Sequence, residues 1–173
     1  MAKSPENPGK TRGKDPDKER AAGKPKAMAA ARRLLREAKT CALATAMGPE
    51  GRPYGSLVLV AMGRNGAPIL LLSTLAQHTK NLTGDNRMSL LFDGTLGLAD
   101  PLTGPRLTLL GRATVSRDLD VRARFLARHP SAKRYVDFQD FAFWRVKISR
   151  AHFIGGFGQI YWLTAADLGV EKI

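Results

Sequence analysis

The chain has one cysteine, Cys41, among 173 residues, so an internal disulfide is excluded, and no Cys/His cluster has the spacing of a zinc site. No apolar run approaches the roughly 20 residues that cross a bilayer, and the start carries no signal-peptide h-region. A soluble, cytoplasmic protein without a membrane partner is expected. The sequence also lacks a Ser/His/Asp order, a paired-carboxylate signature and a Gly-rich Walker or Rossmann fingerprint. Any enzymatic chemistry would therefore rest on a cofactor. Acidic residues are scarce too: 15 Asp and Glu stand against 28 Lys and Arg, giving a formal net charge of +13. That balance favours anionic partners, whether nucleic acid, a membrane surface or a phosphorylated small molecule.

The charge is concentrated at the start. Met1 to Lys26 mixes Lys, Arg, Asp, Glu, Pro and Gly with almost no large apolar side chain, and such a segment buries too little to offset its ordering entropy. It reads as a disordered basic tail (1–26) with a solubilising role ahead of specific nucleic-acid recognition. The rest, 27–173, has the length of one domain and one core.

Within that domain the apolar residues Met28, Ala31, Leu34, Leu35 and Ala38 recur at helical spacing and predict an amphipathic helix over 27–39. Strands are expected over Thr40–Ala46, Tyr54–Met62 and Pro68–Ser73, separated by turns at Gly48–Gly51 and Arg64–Gly66. A helix over Gln77–Asp85 follows, then strands over Arg87–Phe92 and Arg106–Ser116 around a Gly/Pro/Asp-rich loop. A helix over Leu119–Arg128 and a strand over Phe141–Ile148, with a bulge before Val146, complete the pattern. His152–Leu163 continues the sheet. Six or so short strands with few helices predict a mainly β protein with flanking helices, an antiparallel barrel that is closed or partly closed.

The chemistry concentrates in Leu72-Ser73-Thr74-Leu75-Ala76-Gln77-His78-Thr79-Lys80-Asn81-Leu82, a strand end leading into a helix start. Hydroxyls, an imidazole, an ammonium and free backbone amides at such a junction suit an anion, with phosphate as the natural occupant. The alternative is that Thr74 or Thr79 caps the helix and Lys80 is solvated.

Gly51-Arg52-Pro53-Tyr54 with its strand, then Ser73 to Leu82, then Asn86-Arg87-Met88-Ser89-Leu90-Leu91-Phe92 resemble the pyridoxamine 5′-phosphate oxidase-like FMN-binding split barrels over most of 27–163. The blocks Ala76 to Leu82, Ala99-Asp100-Pro101-Leu102, Pro105 to Gly111 and His152 to Gly158 resemble the HugZ-type, haem-utilisation branch. The resemblance implies a six-stranded antiparallel split barrel, working as a homodimer with FMN at the interface and a small-molecule substrate. An FMN-dependent oxidoreductase is the leading expectation; haem binding or breakdown is the alternative, with haem as ligand or substrate. Nucleic-acid binding through the tail is a remote third.

Carried over by position, the resemblance sets Ser56, Leu57 and Val58 along the flavin. Ser73, Thr74, His78, Thr79 and Lys80 fall at its phosphate, and Arg106 reaches a partner's cofactor across the interface. Gly156 belongs to the closing Gly155-Gly156-Phe157-Gly158 segment, and Trp162 covers a ring or fills the core, as does Tyr161. The oxidase has Arg-Lys where this chain has Gln77-His78, and the branch commonly has arginine where this chain has Gln159. The oxidase's C-terminal substrate residues have no match here, which disfavours pyridoxamine oxidation. His129, at a helix end, is a cap or a haem ligand; His152 is a strand histidine, a ligand or a proton carrier.

Overall fold

The computed structural model describes residues 16–171. Alternation of apolar residues makes strands with one inward face. In β1 (Thr40–Met47) Cys41, Leu43 and Thr45 are buried between exposed neighbours, and β5 (Arg87–Asp93) and β6 (Arg106–Ser116) repeat the pattern. With β2 (Arg52–Leu59), β3 (Ala61–Met62), β4 (Pro68–Ser73), β7 (Phe141–Ile154) and β8 (Ile160–Leu163) they form one antiparallel sheet in the order β2-β1-β5-β6-β7-β4-β3, with β8 on β7. Six of these strands have six or more residues, matching the expected six; β3 and β8 are short additions.

The sheet curls into a barrel because its two ends belong to one stretch of chain. β2 pairs with β1, β3 pairs with β4, and only Val60 separates them. The Val60 amide donates to the Lys39 carbonyl and fixes that crossing. Beyond it β2 and β4 approach without forming a ladder, so the barrel is split along this seam. Leu43, Leu70, Leu90, Phe92, Leu107, Leu109, Val146 and Phe153 fill the interior. A second apolar cluster lies outside, where Val121 and Phe125 of α3 (Leu119–Arg128) pack on Ile69 and Leu71.

Two expectations are corrected here. The opening helix, α1, runs Pro16–Glu37 rather than starting at Ala27. Residues 16–26 of the expected disordered tail are therefore helical, and the rest of that tail lies outside the described residues. The reason is tertiary: Gly23 has no side chain where the Tyr161 hydroxyl approaches, and Lys24 pairs with Asp167 at 3.3 Å. The bulge expected before Val146 lies further on, where Leu110 pairs with Arg150 and Gly111 with Ile148. Bulky residues alternate poorly at the start of β7 because both its faces are covered, Trp144 and Val146 by the barrel core and Phe141 and Phe143 by the α3 cluster. Among the described residues no helix is long and apolar enough to cross a membrane.

Candidate functional site

α2 (Gln77–Gly84) crosses one mouth of the barrel between the end of β4 and the start of β5. It is held by Asn81, which is buried, donates to Thr45 Oγ1 at 2.9 Å and accepts from Gln77 Nε2 at 2.8 Å. Its N-cap is Ala76, with no side-chain cap, so neither Thr74 nor Thr79 caps the helix. The amides of Gln77 and His78 find no acceptor among the described residues, and no acidic residue stands in the first turn.

His78 turns towards β2, with Nδ1 3.1 Å from Ser56 Oγ. Ser56 has one hydroxyl hydrogen and donates it to the Leu43 carbonyl at 3.4 Å, so it faces His78 as an acceptor. In the neutral ring Nδ1 then carries the proton, and Nε2 keeps a free lone pair. Burial holds the His78 pKa below the ordinary histidine value and favours that neutral form. Ser56 and His78 thus meet where the seam between β2 and β4 reaches α2. Val58 faces the barrel core, while Leu57 points outward and is 74% exposed.

Of the remaining residues expected at a phosphate, Thr74 and Thr79 line one cavity beside α2, and Ser73 and Lys80 do not. Ser73 Oγ donates to Asp140 Oδ2 at 2.5 Å, and the Thr74 amide donates to the Asp140 carbonyl. A carboxylate therefore stands beside these residues. Thr74 is exposed, Lys80 is exposed and forms no ion pair among the described residues, and Thr79 is buried with Oγ1 unpartnered.

Arg106, Gly156 and Trp162 belong to the opposite end of the barrel. Arg106 donates to the Pro101 carbonyl at 3.0 Å. Gly156, at φ 120°, lets the β7–β8 turn pack on Thr103: an added Cβ would lie 2.9 Å from that carbonyl oxygen. Trp162 is half-exposed, its ring 4.5 Å from that of His152, with the Arg150 guanidinium 4.1 Å from its centroid. Tyr161 is the one of the pair that packs on the core. His129 is buried, with Nε2 2.8 Å from the Val60 carbonyl and its ring against Phe125. Cys41 is buried as well, its thiol pushed up to about 12 by desolvation. No cluster of three metal-ligating side chains occurs among the described residues. Sequence reasoning missed Asp140, which carries no local motif and meets Ser73 only because β4 pairs with β7.

Across the outer face one row of cross-strand partners runs Leu57, Ala42, Leu91, Thr108, His152, Trp162. Leu57, Leu91 and Trp162 of this row are exposed, and the two halves of the expected site sit at its two ends.

Comparison with known proteins agrees with this architecture. The non-canonical heme oxygenase HOZ of Arabidopsis thaliana, a chloroplastic protein, is 41% identical over 112 residues, covering 62% of this chain and 33% of that protein. The chain thus spans about a third of that relative's length. A heme binding protein of Mycobacterium smegmatis superposes with a TM-score of 0.76 at 32% identity, covering 83% of this chain and 60% of that one. The protein Atu2129 of Agrobacterium tumefaciens, of unknown function, gives 0.72 at 33% identity with the same coverages. HutZ, the heme storage protein of Vibrio cholerae, shares the fold at a TM-score of 0.56 and 22% identity, covering 71% of this chain and 89% of that one. Residues 27–155, most of the chain and all of the barrel up to β8, match pyridoxamine 5′-phosphate oxidase, and it is to this family that the chain belongs.

Proposed function

We propose that this protein binds haem at the mouth of the split, with His78 Nε2 as the iron ligand. The observation that carries this reading is the Ser56–His78 pair: a neutral imidazole, oriented through Nδ1 and presenting a free Nε2, is what a metal needs from histidine. The exposed apolar Leu57 beside the seam suits a porphyrin face, and Lys80 and the free amides of α2 suit a propionate. The heme-named relatives above 30% identity support the same choice. Bound haem would supply a redox-active iron.

FMN is the second reading, favoured by the open edges of β2 and of β4 beyond Ile69 and by the uncapped start of α2. Against it, the oxidase's Arg-Lys is replaced by Gln77, which carries no charge, and His78, which burial favours as neutral, and Asp140 sets negative charge beside Ser73 and Thr74. Titrating the purified protein with haemin and with FMN tests the choice. A saturable Soret band with haemin, undisturbed by excess FMN, supports haem. Saturable FMN binding without a haemin response would reverse the assignment.

The reading includes a homodimer. Its support is the outer row, whose two ends a two-fold axis near Leu91 would bring together, setting the partner's Trp162 near this chain's Leu57.

A further inference from the structure

Three arginines, Arg36 of α1 and Arg124 and Arg128 of α3, line a cavity of about 480 Å³ where the C-terminal ends of these helices meet. No acidic residue lines it among the described residues. Two of the guanidiniums are fixed in its wall. Arg124 Nε donates to the Met62 carbonyl at 2.9 Å, and Arg128 Nη2 donates to the carbonyls of Glu37 and Ala38. Each uses one nitrogen for this, which leaves its other two nitrogens free to donate. Arg36 makes no hydrogen bond or ion pair among the described residues. Arg36 and Arg124 are exposed and Arg128 is half-buried, so a ligand in the cavity reaches all three.

The helix ends account for part of this charge. Each C-terminus carries about half a negative charge, which a basic residue in the last turn complements. The neighbouring carboxylates are engaged elsewhere, Glu37 with Arg33 at 3.1 Å and Asp120 with Arg64 at 3.2 Å. Two helix ends against three guanidiniums leave an excess of roughly two positive charges, beside a floor of Leu35, Ala61 and Met62. Guanidinium forks pair with the oxygens of a phosphate, and a dianion matches the excess. We propose that this cavity binds the phosphate group of a small phosphate monoester, with Arg36, Arg124 and Arg128 on its oxygens and the organic body on Leu35 and Met62. Neither Ser56 nor His78 takes part, so the site is separate from the proposed haem site.

Phenyl phosphate is the probe, followed through the backbone amides of Ala38, Met62 and Ala127 by NMR of the full chain at constant ionic strength. These amides are expected to move saturably, and inorganic phosphate to move the same ones with weaker affinity. Phenol, which keeps the ring and lacks the phosphate, binds roughly tenfold or more weakly. Arg36→Gln breaks no bond of the fold and weakens phenyl phosphate about tenfold, with Arg36→Lys between it and wild type. Arg52→Gln, which removes the same charge elsewhere on the surface, and His78→Ala leave the affinity near wild type. No saturable movement by about 10 mM phenyl phosphate, equal affinity for phenol or undiminished affinity in Arg36→Gln overturns the proposal. Inorganic phosphate binding as tightly as phenyl phosphate contradicts the role given to the organic body. Movement of these amides by a single-stranded oligonucleotide but not by phenyl phosphate also overturns the proposal and makes the arginines a nucleic-acid surface.

Discussion

His78 Nδ1 and Ser56 Oγ, 3.1 Å apart, join the helix across the barrel mouth to the strand that borders the split. Burial lowers the His78 pKa, so its folded value lies below its unfolded one. Between the two, the unfolded chain binds a proton that the folded chain refuses. Stability is therefore complete above the ordinary histidine pKa and falls as pH drops through the window between the two values, levelling off below the folded one. NMR titration should place the His78 midpoint below that of an exposed histidine, and His78→Gln should flatten the urea stability profile across that window. A midpoint at or above the ordinary value would remove the argument for a neutral ring.

Gly111 sits at the β6–β7 bulge, where an added Cβ would lie 2.3 Å from the Lys147 carbonyl oxygen. The obstacle is backbone and cannot swing aside, so Gly111→Ala should cost about 2–3 kcal/mol in urea unfolding. Gly55, in β2, has nothing within 4 Å of the same position. Gly55→Ala should leave stability unchanged or raise it by roughly 0.5–1 kcal/mol.

Leu57 is an exposed leucine at the end of the outer row. If the row is a dimer face, Leu57→Arg should convert a dimer to a monomer in sedimentation velocity. Little monomer stability should be lost, since surface substitutions usually stay within about 0.5 kcal/mol. A wild-type protein that sediments as a monomer at micromolar concentration would contradict the dimer.

His129 donates one side-chain hydrogen bond, from Nε2 to the Val60 carbonyl, and its ring packs on Phe125. It ties α3 to the residue at which the barrel closes. His129→Ala should cost about 2–4 kcal/mol by leaving a buried carbonyl unpaired and opening a cavity, measured by thermal or urea unfolding. Haemin affinity of the folded variant should match wild type.

Much of this was legible in the sequence where local pattern decides the outcome. Pro68–Ser73, Arg106–Ser116 and Leu119–Arg128 have the bounds expected from their sequence: Arg106–Ser116 and Leu119–Arg128 each have one face or stripe that must be buried, and Pro68–Ser73 is a short apolar run buried on both faces. The early part of α1 was not, since Gly23 and Pro25 argue against a helix there, and the approach of Tyr161 to Gly23 and the pairing of Lys24 with Asp167 exist only in the folded chain. In the site, the segment His78 to Lys80 was legible as chemistry but not as geometry. Successive helical residues point about 100° apart, so His78 meets Ser56, Thr79 turns to the cavity beside Trp144, and Lys80 faces solvent. Asp140 reaches Ser73 through the pairing of β4 with β7, which no local pattern reveals.

The most direct test of the account is a haemin titration of wild type and His78→Ala followed at the Soret band. The account predicts a saturable, red-shifted band in wild type that weakens roughly tenfold or more and shifts in His78→Ala, while His129→Ala behaves as wild type. An identical band and affinity in His78→Ala, or no saturable band in wild type, would contradict it.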